Sequence, residues 1–463
     1  MISSLKTDKA IRAALRILPS GLAATYENIL LTTLKRHAVD IDEIKTTLQW
    51  LVASVTPLTA SQLAEIVAIS PEDTSLDFDG VSTDAEDVVE PISQLVILER
   101  YLDDTIVRFS HFSVEEYLCF DGIATSPTKD FYINLEEAHA RVAEICLQYL
   151  SFSNFDDPDL DGKANVFELM SKYTLLGYAS VNWSTHLQKS NLSKVDYERR
   201  ILPRLDWFLN ADIRPSLFNN WQRIMETVLP RWMASTHSPL LFAIRAGLHQ
   251  IVDIMLPKLS NVNQQFPNGF TCLAAAATGN QVLIAKRLLQ LGADVNMPTA
   301  DRCLTPLHLA AQNACVEMVE LLLDKGASIN SRSSSKTTPF YRAARGGSIE
   351  ILRLLHQKGS EVDARTWDKW TPLMEAVENG HEPAIDLLLE WGADPNQQST
   401  DGMSPLRLAQ VLSHLSIERK LKAALEGQRK ETTMADHDVI EFCTKDDDSS
   451  DDDSDVGTVW RYY

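Results

Sequence analysis

The chain has 463 residues, 44% of them hydrophobic and 23% charged, which is ordinary for a globular protein with room for two or three domains. Its formal net charge of −21 argues against nucleic acid or an anionic membrane as the main partner. The six cysteines, Cys119, Cys146, Cys272, Cys303, Cys315 and Cys443, form no C-x-x-C pair and lack a His-x-x-x-His companion, so neither a zinc site nor a disulfide framework is expected. Met1 to Leu18 is interrupted by Lys6, Asp8, Lys9, Arg12 and Arg16, and no run of about 18 apolar residues occurs, so neither a signal peptide nor a membrane span is expected. Free thiols in a reducing compartment place the expectation in the cytoplasm, with the nucleus as the alternative.

Taken in chain order, Tyr26, Ile29, Leu30 and Leu34 have helical spacing, which predicts a helix over 25–37. A second helix is expected over 41–55, ended by Pro57, and a third over 60–69, capped by Thr59. An acidic loop follows to about Asp84, then an expected fourth helix over 85–92. Two β-leaning runs, 95–101 and 105–112, flank Leu102-Asp103-Asp104 as a hairpin turn. Helices followed by a hairpin are the plan of a winged-helix domain, assigned to residues 1–120. Residues 121–236 read as a helical linker. The span from Thr46 to Glu99 holds ten Asp/Glu and no Lys or Arg, and it contains the helix that would read a DNA groove. Phosphates need cations, so DNA binding is not expected.

The pairs Ser238-Pro239, Thr271-Cys272, Thr305-Pro306, Thr338-Pro339, Thr371-Pro372 and Ser404-Pro405 recur at spacings of 33, 34, 33, 33 and 33. Each opens a helix rich in small residues, and the first five lead into a second apolar helix. Four units close on a turn led by Gly292, Gly326, Gly359 or Gly392. This resembles the ankyrin repeat, with six units over residues 237–428. Thr or Ser caps the first helix, Pro suits its first position, and the closing Gly takes a left-handed conformation at low cost. Gly247, Gly347 and Gly380 stand between the two helices of their units. Asn280, Ala314 and Ser413 replace Gly at the equivalent places, with strain expected at Ala314. The sixth unit lacks a clean leucine run and a closing Gly, and reads as a frayed polar cap.

The stretches Leu18-Pro19-Ser20-Gly21-Leu22, Thr25 to Leu30, Leu48-Gln49-Trp50-Leu51, Val107 to Leu118, and Tyr173 to Ser180 with Trp183 and His186 resemble the segments that follow the NACHT ATPase in fungal NLR-like proteins. The resemblance implies a mostly α protein: a small winged-helix domain and helical linker, then an ankyrin-repeat solenoid. It also implies the sensor half of an NLR-like signalling protein in non-self recognition or cell death. The alternative is a stand-alone ankyrin adaptor that has lost its ATPase. A NACHT core needs a G-x-x-x-x-G-K-[ST] phosphate loop, and these residues contain none; Gly162-Lys163 has no upstream Gly at the right distance. The ATPase is expected in a separate product, lost, or encoded upstream, and no cofactor is expected on this chain.

No nucleophile or oxyanion motif accompanies His111, so it is expected to hydrogen-bond at a strand end and not to act as a general base; no catalytic residue is assigned. The ankyrin resemblance implies a partner protein on the concave face, lined by hairpin fingers and first helices. The candidates there are Trp367 and Trp370, with Phe270, Leu304, Arg332 and Met403 on other fingers and Arg345 and Glu378 on first helices. One of the two tryptophans, Trp370 before Trp367, is the better fit for packing on a neighbouring finger. Residues 429–463 form an acidic tail expected to be disordered; from Glu431 it carries eleven Asp/Glu against two Lys/Arg. Ser449 and Ser450 each have an Asp three residues on, which suits an acidophilic kinase.

Overall fold

Apolar residues at helical spacing dominate the sequence, and the protein is mostly helical, with one three-stranded sheet among the described residues. The computed structural model describes residues 20–37, 41–82, 84–101, 104–156, 163–210, 215–228 and 238–426. Backbone contacts divide the chain into two units, Met1–Asn268 and Gly269–Tyr463.

In the first unit, helices span Ser20–Arg36, Ile41–Ala53 and Ala60–Ala68. Thr59 caps the third through a capping box. Its N–H donates to Gln62 Oε1 at 3.0 Å, and its Oγ1 accepts the Gln62 N–H at 3.3 Å. The expected helix over 85–92 is instead two 3₁₀ turns, Ala85–Val88 and Glu90–Ile92. Pro91 has no N–H to close an α-helical bond, so the ladder cannot run through it. Strands β2 (Val96–Tyr101) and β3 (Asp104–Phe109) form an antiparallel hairpin pairing Tyr101 with Asp104; Leu102 and Asp103 lie outside the described residues. The second run stops at Phe109, short of the expected 112, because His111 caps a new helix, Phe112–Leu118, with Nδ1 accepting the Ser113 N–H at 3.2 Å. A short strand β1 (Leu58–Thr59) pairs with the other side of β3, so the sheet order is β1-β3-β2.

A buried carboxylate joins these elements to the helices beyond them. Glu65, 3% exposed, accepts from the Tyr149 hydroxyl at 2.5 Å, the Thr174 N–H at 2.6 Å, the Thr174 hydroxyl at 2.9 Å and the Leu175 N–H at 3.2 Å. Tyr149 belongs to the helix Leu135–Leu150, and Thr174 and Leu175 precede the helix Leu176–Lys189. Farther along, an aromatic cluster forms around Trp183, Phe208 and Trp221. Phe242, from the helix that Ser238-Pro239 opens, packs edge-on against Trp221 at 4.8 Å and lies 5.6 Å from Trp183. The first repeat thus has its own apolar face covered by linker aromatics.

In the second unit, first helices span Cys272–Thr278, Pro306–Gln312, Pro339–Gly346, Pro372–Glu378 and Pro405–Val411. Second helices span Val282–Gln290, Val316–Asp324, Ile349–Gln357, Glu382–Glu390 and 415–426. First helices stack on first helices and second on second. The hydroxyls of Thr271, Thr338, Thr371 and Ser404 accept the N–H three residues on, at 3.2–3.3 Å. Asn280, Ala314, Gly347, Gly380 and Ser413 all have positive φ, from 54° to 70°, so the backbone is left-handed there whatever the residue. At Gly347 a Cβ would also lie 2.6 Å from the His381 ring. The sixth unit is better formed than a frayed cap. Ile417 and Leu421 of its second helix are buried, and Lys420 reaches back to Asp386 at 2.7 Å and Glu382 at 3.2 Å.

Candidate protein-recognition site

Five or six residues before the caps Thr305, Thr338, Thr371 and Ser404, the chain leaves the helical layer in a tight finger. The fingers have one construction. Thr299, Ser333, Thr366 and Ser399 donate their N–H to the carbonyls of Leu304, Thr337, Trp370 and Met403 at 2.9–3.0 Å. Their hydroxyl oxygens accept the N–H of the same four residues at 3.0–3.1 Å. A left-handed residue, Cys303, Lys336, Lys369 or Gly402, turns the tip. Each finger also bonds to the one before it: Ala300 N–H to Gly269 O, Ser334 N–H to Arg302 O, Trp367 N–H to Ser335 O and Thr400 N–H to Asp368 O, at 2.9–3.3 Å. Five successive fingers are therefore held in fixed register by backbone bonds that do not depend on side-chain identity.

Trp367 stands on this ladder with 63% of its surface exposed. Its indole N–H donates to Ser334 O at 2.7 Å, and Lys336 Nζ lies 3.7 Å from the ring centroid. The preceding finger thus holds the ring flat in place while leaving most of it in solvent, and little rotamer entropy remains to be lost on binding. Trp370 is half-buried.

Of the other expected contact residues, Phe270 and Met403 are half-buried and Leu304 is 6% exposed. All three immediately precede a capping residue, where the side chain turns in under the finger, so Leu304 offers almost no surface. Arg332 is exposed but already paired, with Nη2 2.6 Å from Glu361 Oε2 and Nη1 donating to Arg365 O at 3.3 Å. It braces adjacent repeats. Arg345 and Glu378 are both exposed on first helices. Arg345 Nε lies 3.5 Å from the buried Glu375 carboxylate, which also accepts from the Tyr341 hydroxyl. Partial desolvation, with Glu375 alongside, pushes the Glu378 carboxyl above its usual range, opposed by Arg345. Ser449 and Ser450 lie outside the described residues, as does the whole tail.

Arg342 was not singled out by its sequence. It is 9% exposed, donates to Gln312 Oε1 at 3.0 Å and to Thr337 Oγ1 at 3.3 Å, and has no carboxylate within 4 Å among the described residues. A signal was available: the fourth residue after the cap is Ala275, Leu309 and Leu408 in other repeats but Arg342 and Glu375 in two adjacent ones. The buried His308 is structural. Its Nδ1 accepts the Thr305 N–H at 3.2 Å and its Nε2–H donates to Thr337 O at 3.0 Å; burial pushes its pKa down to about 4.

The described residues hold no group of three or more His, Cys, Asp or Glu placed to share a metal ion, and no helix among them is long and apolar enough to cross a membrane. His111, exposed at a helix start, bonds to the Ser113 hydroxyl at 2.7 Å.

The fold defines a protein with ankyrin repeats in its C-terminal part. The family model for ankyrin repeats (3 copies) matches residues 240–333 and 307–399. A fungal relative, azaphilone pigments biosynthesis cluster protein L of Monascus ruber, is 27% identical over 306 residues, 61% of each chain. That share exceeds the whole stretch from Ser238 onward, so the likeness takes in part of the N-terminal helical unit. Ankyrin repeat and SOCS box protein 11 of Mus musculus is 36% identical over 97 residues, 21% of this chain and 29% of that one. Ankyrin repeat and KH domain-containing protein 1 of Homo sapiens is 37% identical over 103 residues, 22% of this chain and 4% of that one. The chain thus spans about three fifths of the fungal relative and under a third of these animal ones.

Proposed function

We propose that the chain is the recognition half of an NLR-like protein, taking a protein ligand on the finger face of its ankyrin repeats. The carrying observation is the in-register finger ladder presenting an exposed Trp367 held by Lys336 and the Ser334 carbonyl of the preceding finger. Rigid aromatic anchors of this kind dominate protein interfaces. The relay end of the reading is the arrangement of three helices and a hairpin with β1 added to β3, which supports a winged-helix assignment for the N-terminal unit. The Glu65 network supports rigid coupling of that region to the linker helices. An adaptor that scaffolds two partners uses the same finger face, and the two readings part at the N-terminal unit. A NACHT ATPase that binds residues 1–236 would favour the relay; a second, unrelated client there would favour the scaffold.

The test is partner capture on the full chain, followed by titration of the recovered protein against wild type and Trp367→Ala. The substitution should leave the melting curve within about 0.5 kcal/mol of wild type and weaken binding by about 2 kcal/mol or more. Normal folding with undiminished affinity would move the recognition surface off the fingers.

A further inference from the structure

The finger face is basic on an acidic protein. The fingers 299–304, 332–337 and 365–370, with the first helices that follow them, carry seven Lys/Arg against four Asp/Glu, in a chain of net charge −21. Among them Arg342 is buried, and its hydrogen-bond partners among the described residues are two neutral oxygens, Gln312 Oε1 and Thr337 Oγ1. Burying a guanidinium without a carboxylate is costly unless something anionic completes it. Arg345 and Arg302 stand close enough to oppose its charge electrostatically; Glu375 offsets part of that, but its carboxylate is already shared between Arg345 and the Tyr341 hydroxyl. Among the described residues, Arg302 pairs with its chain neighbour Asp301, at 3.6 Å. The result is a positive niche formed by Arg302, Arg342 and Arg345 on the third and fourth repeats.

We infer that this niche takes an acidic peptide segment, and that the chain's own run Lys445–Asp455, which holds seven aspartates, is its resident occupant. The inference rests on the finger face being the recognition surface, and deepens it: the tail would mask the niche until an external acidic ligand displaces it. Charge complementarity identifies the chemistry. Reach permits it. The last described helix ends at 426, in the sixth repeat, and eighteen residues separate it from Lys445. They span at most about 60 Å, whereas Arg342 is two repeats away, at about 10 Å per packed helix layer. Tethering makes the encounter intramolecular, at an effective concentration on the order of millimolar.

The test is fluorescence anisotropy with a labelled peptide of residues 441–463, titrated with the full chain and with a chain ending at residue 430. The truncated chain should bind the peptide about tenfold or more tighter than the full chain, whose own tail competes. Binding should weaken as salt is raised. Because Arg342 is buried and its replacement risks the fold, the charge is reversed at its exposed neighbours. Arg302→Glu with Arg345→Glu, in the truncated chain and checked by thermal melts, should abolish binding. Equal affinity for full and truncated chains, or binding indifferent to the double reversal, would overturn the inference. A poly-aspartate peptide is the second arm. If it binds and the tail peptide does not, the niche reads an acidic ligand in trans and the resident-tail inference falls while the recognition reading stands. If neither binds, the inference falls, and the Trp367→Ala titration still judges the recognition reading separately.

Discussion

Asparagine clamps show how much a single atom decides in a repeat. Asn296 accepts the Ser328 N–H at 2.8 Å and donates to Gly326 O at 3.2 Å; Asn330 does the same for Glu361 and Gly359, at 3.2 Å each. In the next repeat the position is Asp363. It accepts the Asp394 N–H at 3.1 Å but has no donor, and its Oδ1 is buried without a partner among the described residues. Burial, with Asp394 adding, raises its carboxyl pKa. Asp363→Asn should therefore stabilise the protein by about 1 kcal/mol in urea melts at neutral pH. A folded pKa above the unfolded value means the native state binds the extra proton, so the carboxylate's penalty is relieved as pH falls. The advantage of Asn should shrink in acid; no advantage at neutral pH would refute the clamp. At Ala314 the strain foreseen from sequence is present, at φ 57°. Ala314→Gly should gain about 0.5–1 kcal/mol, the left-handed cost less the added chain entropy of Gly.

At the scale of the element, the second helices carry the stack. Periodicity alone makes Leu321 and Leu322 both look interior, since both sit in an unbroken leucine run. Only Leu322 is fully buried; Leu321 is half-exposed and lines an open groove of about 520 Å³ with Lys286, Leu289 and Lys325. The helix Val316–Asp324 points one leucine into the core and rolls the next onto the rim. Leu322→Ala should cost about 2–5 kcal/mol, and Leu321→Ala under about 1.5 kcal/mol, by denaturant titration. Equal losses would mean the helix is rotated from the face described. In a stack where each repeat leans on its neighbours, the Leu322 loss should spread to adjoining units.

At the scale of the whole molecule, both units store buried neutral histidines. His186 donates or accepts between Tyr178, 2.8 Å away, and His139, 2.9 Å away; burial, then the neighbouring His139, pushes its pKa down to about 3. His308 in the repeats is held down to about 4. Both folded values lie below the unfolded value of about 6.5. Between those limits the unfolded chain binds more protons, so stability is complete above about pH 6.5 and declines as pH falls toward the folded values. Thermal melts should show this decline, and His186→Asn should flatten it relative to wild type. An unchanged slope would assign acid sensitivity to other groups.

What the sequence determined by itself was most of what is local or repeated, the stretch 85–92 excepted, where two 3₁₀ turns replace the expected helix. A cap is one residue from the helix it starts, and six phased Thr or Ser caps, five of them followed by Pro, report the same backbone turn six times; the strand pair and the Thr59 cap were legible for the same reason. What only tertiary structure decided was who faces whom across long separations. Glu65 meets Tyr149 and Thr174 from more than eighty residues away, Trp367 is pinned by a carbonyl thirty-three residues earlier, and Arg342 bonds to two neutral oxygens with no carboxylate within 4 Å among the described residues. None of these is written in a local window, because burial of a charge and orientation of a ring are set by the packing of neighbouring elements and not by the residues beside them in the chain.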